Sequence, residues 1–157
     1  MPHFNYSDSG YYYVTICTHN KIPFFGRVVD RKMVRNQFGE IVQNHWNDLP
    51  NHYKTCVLDE FIVMPNHVHG VIHIDRSIVG NGFKPFPTHT LSEIIRGFKT
   101  FSSKKIHENK LTSFQWQKSF YDHIIRSEIE LLHIQKYIRY NPLKWGEDEY
   151  YKPNNLI

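Results

Sequence analysis

Cysteine is scarce in this chain: Cys17 and Cys56 are the only two, and they do not form a CxxC pair. A disulfide framework and a cysteine-rich metal knuckle are therefore excluded, and both residues read as reduced thiols of an intracellular protein. No apolar run approaches the roughly 18 residues of a membrane span, and Met1 to Gly10 is polar, without a hydrophobic signal segment. A soluble cytoplasmic protein with no membrane partner is expected. Internal repeats, low-complexity tracts and domain linkers are also missing, so residues 1–157 read as one domain. Acidic residues are outnumbered, 15 against 19 Lys and Arg, which gives a formal charge of +4. With a pI near 9.0, the balance favours a polyanionic partner such as nucleic acid.

Apolar residues, by contrast, are plentiful: 40% are hydrophobic and 15% aromatic, enough for a sizeable core. Tyr11 to Thr18 is rich in Tyr, Val, Thr and Ile and predicts a first strand. From Val29 to Trp46 the residues Met33, Val34, Phe38, Ile41, Val42 and Trp46 recur at helical intervals, predicting one helix that Gly39 weakens. Cys56 to Met64 and His67 to Ile74 read as a hairpin around Pro65-Asn66. Asp75 to Thr90, with Gly80, Gly82, Pro85 and Pro87, reads as a long surface loop. Thr90 and Glu93 form a capping box that opens a helix with the stripe Leu91, Ile94, Ile95, Phe98 and Phe101. Phe114 to Ile125 reads as extended. A second capping box, Ser127 to Glu130, opens a last helix that Pro142 stops near Asn141. The predicted order is β-α-β-β-α-β-α. Its first six elements match the α+β, ferredoxin-like (RRM-like) arrangement of a four-stranded antiparallel sheet with helices.

The chemistry-bearing pattern is His67-Val68-His69. A strand alternates faces with period two, so both imidazoles project together and can share one small cation. His73 lies on the same face but about 13 Å further on, too far for that ion. A histidine-triad nucleotide hydrolase is disfavoured, because Val71 occupies the place of its third histidine. On the last helix Leu131, Ile134 and Ile138 should face the sheet, leaving Glu130, His133, Tyr137 and Asn141 as a polar stripe. Tyr137 and Asn141 are one turn apart, so a phenol and an amide oxygen can approach a single site. Tyrosine, with a pKa of about 10, is a poor nucleophile unless its target is activated, and a divalent cation on a phosphodiester supplies that activation.

Taken together, Met64-Pro65-Asn66-His67-Val68-His69 and Tyr137-Ile138-Arg139-Tyr140-Asn141-Pro142 resemble the single-tyrosine HUH transposases, especially the REP-associated tyrosine transposases related to the insertion-sequence-200 type. The resemblance extends to Val14 to Thr18, Arg96 to Lys99, and Trp116-Gln117 through Arg126. It implies a nuclease that cuts and rejoins single-stranded DNA, or DNA hairpins with flanking recognition bases, through a 5′-phosphotyrosine. It further implies Tyr137 as nucleophile, His67 and His69 as metal ligands with Asn141 as the third, Mg or Mn as the metal, and a monomer or homodimer. Arg96, Lys99, Lys104, Lys105, Lys118 and Arg126 are candidate phosphate contacts. Phe83, Phe86 and Trp116 are candidates for stacking on unpaired bases. His73 and His123 read as structural or DNA-proximal. The competing reading is a non-catalytic RRM-like nucleic-acid-binding module, or a domesticated transposase that binds without cutting.

Overall fold

A computed structural model describes residues 9–78 and 89–147. The loop glycines and prolines between 80 and 87, with Phe83 and Phe86, lie outside the described residues. The sheet contains β1 (Ser9–Cys17), β4 (Cys56–Met64), β5 (His67–Asp75) and β6 (Tyr121–Ile125), in the spatial order β4-β5-β1-β6. Every pairing in it is antiparallel. This is the ferredoxin-like order, with the first and third strands of the sheet, β1 and β5, at its middle and β4 and β6 at its edges.

One expectation fails. The segment read as a single helix from Val29 to Trp46 begins with a separate hairpin, β2 (Gly26–Val29) and β3 (Lys32–Arg35), and only then becomes α1 (Gln37–Asn47). The hairpin turns through Asp30 and Arg31, both at positive φ (51° and 63°), which interrupts helical geometry. Asn36 restarts it: its side-chain oxygen accepts from the amides of Phe38 and Gly39, while its amide donates to the Phe24 carbonyl. The short helix α2 (Leu49–His52) leads into β4.

Helix α3 (Leu91–Glu108) carries the predicted reciprocal capping box at Thr90 and Glu93. With α1 it covers one sheet face, where Val42, Trp46, Ile94, Ile95 and Phe98 bury Val14, Ile16, Val68, Ile72 and Ile74. Phe101, placed on that stripe by its spacing, is instead exposed. Helix α4 (Glu128–Arg139) packs on the opposite face, and Leu131, Ile134 and Ile138 meet Val71 and Ile125 as their spacing predicts. Its cap differs from expectation in one respect. Ser127 accepts from the Glu130 amide, but the Glu130 carboxylate takes the Arg126 amide and His123 Nε2. The carboxylate thereby ties the end of β6 to the start of α4, and the Arg126 amide, with His123, holds its pKa down.

The predicted extended run from Phe114 to Ile125 is a strand only from Tyr121 onward. Before that, Trp116 makes an isolated bridge to Thr18 and donates from Nε1 to Ser102 Oγ. It is 8% exposed, so its indole is a core group and not an open stacking platform for bases. No helix among the described residues is long and apolar enough to cross a membrane.

Cys56 begins β4 in the core, and burial pushes its thiol up to about 12. An unfolded thiol titrates near 8.5, so between about pH 8.5 and 12 the native state retains a proton that the unfolded chain releases. Stability from this group is complete below that window and falls as pH rises through it. Between pH 8 and pH 10, urea unfolding should show the wild type losing about 2 kcal/mol more stability than Cys56→Ala. Equal losses in the two proteins would refute the assignment.

Candidate active site

The site is built on the sheet face that α4 covers. His67 and His69 project there from β5 and are essentially fully buried, while Val68 between them enters the opposite core. Their Nε2 atoms lie 3.0 Å apart. Burial holds both imidazoles neutral: it lowers His69 to about 3, and burial, then His69, then Lys21 drive His67 well below the ordinary histidine value. Neutral imidazoles retain the lone pairs that metal binding requires.

The outer nitrogens of the two rings are held differently. His67 Nδ1 is 2.7 Å from Asn66 Oδ1, and the Asn66 amide nitrogen donates to the Lys21 carbonyl at 3.0 Å. His69 Nδ1 lies 2.8 Å from Thr15 Oγ1 and 3.0 Å from the Tyr13 hydroxyl. Both of these partners come from β1, whose register sets Thr15 opposite His69 and Cys17 opposite His67.

Helix α4 brings the phenol. The Tyr137 ring centroid is 5.4 Å from that of His69, and Tyr137 is 44% exposed, so the ring meets His69 and still faces solvent. Two polar tethers flank it on the helix. Gln135 donates to Asp59 and Arg139 to Glu60, both at the irregularity where β4 shifts register against β5. The β4 irregularity therefore serves as the anchor point for the helix.

Asn141 opens the 3₁₀ turn Asn141–Glu147, beyond the α4 C-cap at Tyr140. It is 2% exposed, and its Oδ1 has no hydrogen-bond partner among the described residues. Trp145 of the same turn stacks toward His67 with ring centroids 6.0 Å apart. His133, Lys136, Tyr137, Tyr140, Asn141 and Lys144 line one cleft. No third His, Cys, Asp or Glu joins the two histidines as a metal set among the described residues.

The predicted basic residues do not converge on this cleft. Arg96, Lys99 and Lys118 line another, beside Phe120. The Lys99 ammonium is partly buried and donates to the Gln117 and Lys118 carbonyls, and burial lowers its pKa. Lys104 and Lys105 are exposed near the end of α3, with Lys105 4.0 Å from Glu108, and Arg126 is exposed before α4. His73 stacks on Tyr11 at 4.0 Å, His123 binds Glu130, and His19 lines a separate cleft with Lys21 and Gln117. Sequence reasoning missed Lys136 and Lys144, although Lys136 follows His133 by one helical turn, a spacing that could have signalled it. It also missed Asn66, Thr15 and Tyr13, whose contacts with the histidines are wholly tertiary or turn-borne.

Comparison with known proteins bears on the fold and the family. The chain is 33% identical over 162 residues to an uncharacterized protein of Haemophilus influenzae, covering 96% of this chain and 90% of the relative. Its fold is similar to that of a REP-associated tyrosine transposase solved bound to a REP hairpin. That match has a TM-score of 0.60 at 18% identity, over 94% of this chain and 74% of the other. It also resembles a candidate transposase of Deinococcus radiodurans R1, with a TM-score of 0.51 at 17% identity over 83% and 89% of the two chains. The family described as "Transposase IS200 like" matches residues 8–141, and the chain belongs to that transposase family.

Proposed function

We propose that this chain, acting as one domain over residues 1–157, cleaves and rejoins single-stranded DNA through a tyrosine nucleophile with a divalent cation. The observation that carries the reading is the meeting of two neutral, buried imidazoles with a solvent-facing phenol, 5.4 Å between the His69 and Tyr137 rings. Three features fit a hard cation. Two ligands at about 2.1 Å and right angles are separated by about 3.0 Å, which matches the observed Nε2 spacing. The Asn141 oxygen is buried and has no hydrogen-bond partner among the described residues, the kind of oxygen donor that Mg or Mn takes readily. Among the described residues the pair also lacks the further His, Cys, Asp or Glu donors of a closed zinc shell. In this reading His67, His69 and Asn141 hold the ion. When bound, such an ion neutralises and polarises a phosphodiester.

The chain's own groups supply the remaining chemistry. The Tyr137 oxygen forms a bond to phosphorus, its proton passes to solvent, and the 3′ oxygen leaves and takes up a proton. The product is a 5′-phosphotyrosine and a free 3′-hydroxyl, and attack by a 3′-hydroxyl reverses the step. Lys136 and Lys144 line the same cleft and provide positive charge for the phosphate oxygens. Tyr137 meets His69 of its own chain, which supports a monomer acting in cis. The hairpin carried by the structurally similar REP-associated transposase supports a folded single strand as substrate.

The test uses end-labelled single strands from the borders of the encoding locus, incubated with protein and Mg²⁺ or Mn²⁺. A denaturant-resistant protein–DNA adduct that EDTA abolishes is the expected result. DNA binding without an adduct on any such strand would replace this reading with the non-catalytic RRM-like module.

A further inference from the structure

Asn66 is fully buried between two structures distant in sequence, the turn after β1 and the start of the histidine strand. The hydrogen-bond network fixes which way its amide points. The Lys21 carbonyl can only accept, so the Asn66 group 3.0 Å from it is the NH₂. The Asn66 oxygen therefore faces His67 Nδ1 at 2.7 Å, and this oxygen can only accept as well. His67 must then carry its proton on Nδ1, and its Nε2 lone pair points at the shared position with His69. The same logic applied outward makes His69 the donor in the 3.0 Å contact between the rings when no ion is present. His69 Nδ1 then accepts from the Thr15 or Tyr13 hydroxyl. A hydroxyl can turn from donor to acceptor, whereas an amide oxygen cannot.

The two imidazoles are therefore unequal. We propose that Asn66 is a positioning residue that locks His67 as the Nδ1–H tautomer, a preset ligand, while the Thr15 and Tyr13 hydroxyls, which can donate or accept, let His69 exchange tautomers as an ion arrives. The anchor for the lock is unusual backbone. Asn20 and Lys21 are consecutive non-glycine residues at positive φ (56° and 55°), a conformation that needs outside support. Asn66 supplies that support through its amide, and its own carbonyl accepts from the Thr18 amide at 2.9 Å and the Thr18 hydroxyl at 3.1 Å. The turn, the amide and the ring form one unit. Outer partners of metal-binding histidines commonly fix the tautomer in this way, and their removal typically costs about 10- to 100-fold in metal affinity.

The ligand role rests on the proposed metal reading, but the tautomer does not, and the experiment separates them. Long-range ¹H–¹⁵N spectra of the full-length, metal-free protein report which ring nitrogen is protonated, and Mn²⁺ titration reports affinity. Wild type should show His67 as a single Nδ1–H form and His69 as Nε2–H. Asn66→Asp keeps an accepting oxygen opposite His67 Nδ1 but loses the NH₂ that the Lys21 carbonyl accepts from, so it should keep the His67 Nδ1–H signature while giving up the support of the turn. Asn66→Leu should give mixed His67 tautomers and bind Mn²⁺ about 10- to 100-fold more weakly, in samples shown by circular dichroism to be folded. Finding His67 as Nε2–H in the wild type would overturn the proposal without any variant, and so would an unchanged tautomer and affinity in folded Asn66→Leu. A wild type with the expected tautomers but no Mn²⁺ binding would support the lock and sink the metal reading of the pair.

Discussion

Tyr137→Phe is expected to lower strand cleavage by about 10³-fold or more, equivalent to about 4 kcal/mol of transition-state free energy, and to eliminate the covalent adduct. The substitution removes one oxygen and leaves the ring that meets His69 in place. Tyr137 is 44% exposed, so little core packing depends on its hydroxyl. DNA affinity should stay within about twofold and the melting temperature within about 3 °C, values typical of a surface change. Tyr140 makes the informative control, because it lines the same cleft three residues further along the chain at 50% exposure. Tyr140→Phe should retain adduct formation. Adduct that survives Tyr137→Phe and disappears in Tyr140→Phe would transfer the nucleophile to the helix cap and require a different approach of DNA to the histidine pair. The measurement is the amount of labelled DNA retained on protein in denaturing gels across a time course, with folding checked on the same samples.

Much of this site is visible in the chain because its main elements are local. Period-two alternation places His67 and His69 together on one strand face, and the 3.6-residue period of α4 separates Leu131 and Ile138 from Tyr137. The capping box at Thr90 and Glu93 is equally local and forms as read. What stays hidden depends on partners remote in sequence. Asn66 looks like a turn residue beside Pro65, yet its amide reaches Lys21 across 45 positions. Trp116 sits in a polar stretch that suggests exposure, but the bridge to Thr18 and the bond to Ser102 draw it inward. The β2–β3 hairpin is concealed for a different reason. Its turn residues, Asp30 and Arg31, carry no glycine signal for positive φ, and Met33 and Val34 extend the helical spacing of α1 backwards by coincidence.

The fold has its own point of sensitivity directly behind the histidines. Gly70 follows His69 on β5 but faces the α1 side, where a Cβ would lie 2.5 and 2.7 Å from two atoms of the Trp46 ring. That ring cannot yield easily, because it is 1% exposed, stacked on Phe61 at 4.2 Å and set edge-on to Phe98 at 5.4 Å. The absence of a side chain at residue 70 therefore accommodates the indole, and the requirement is steric: Gly70 is not among the residues with positive φ. Overpacking of this kind costs about 1 to 3 kcal/mol, and sometimes more. Gly70→Val, with two further methyl groups, belongs at the upper end, near 3 kcal/mol. At about 2 to 4 °C per kcal/mol for a chain of this size, its melting temperature should drop by about 6 to 12 °C. The partner of the clash can be identified with a double-mutant cycle. Trp46→Phe deletes the benzo portion of the indole, which contains both offending atoms, and removes an Nε1 that lacks a hydrogen-bond partner among the described residues. In that background Gly70→Ala should be at least about 1 kcal/mol less costly than in the wild type, a coupling well beyond the few tenths expected for independent sites. Chemical denaturation of the four proteins measures it. Additive costs would show that the strand behind His69 is not held by the Trp46 contact.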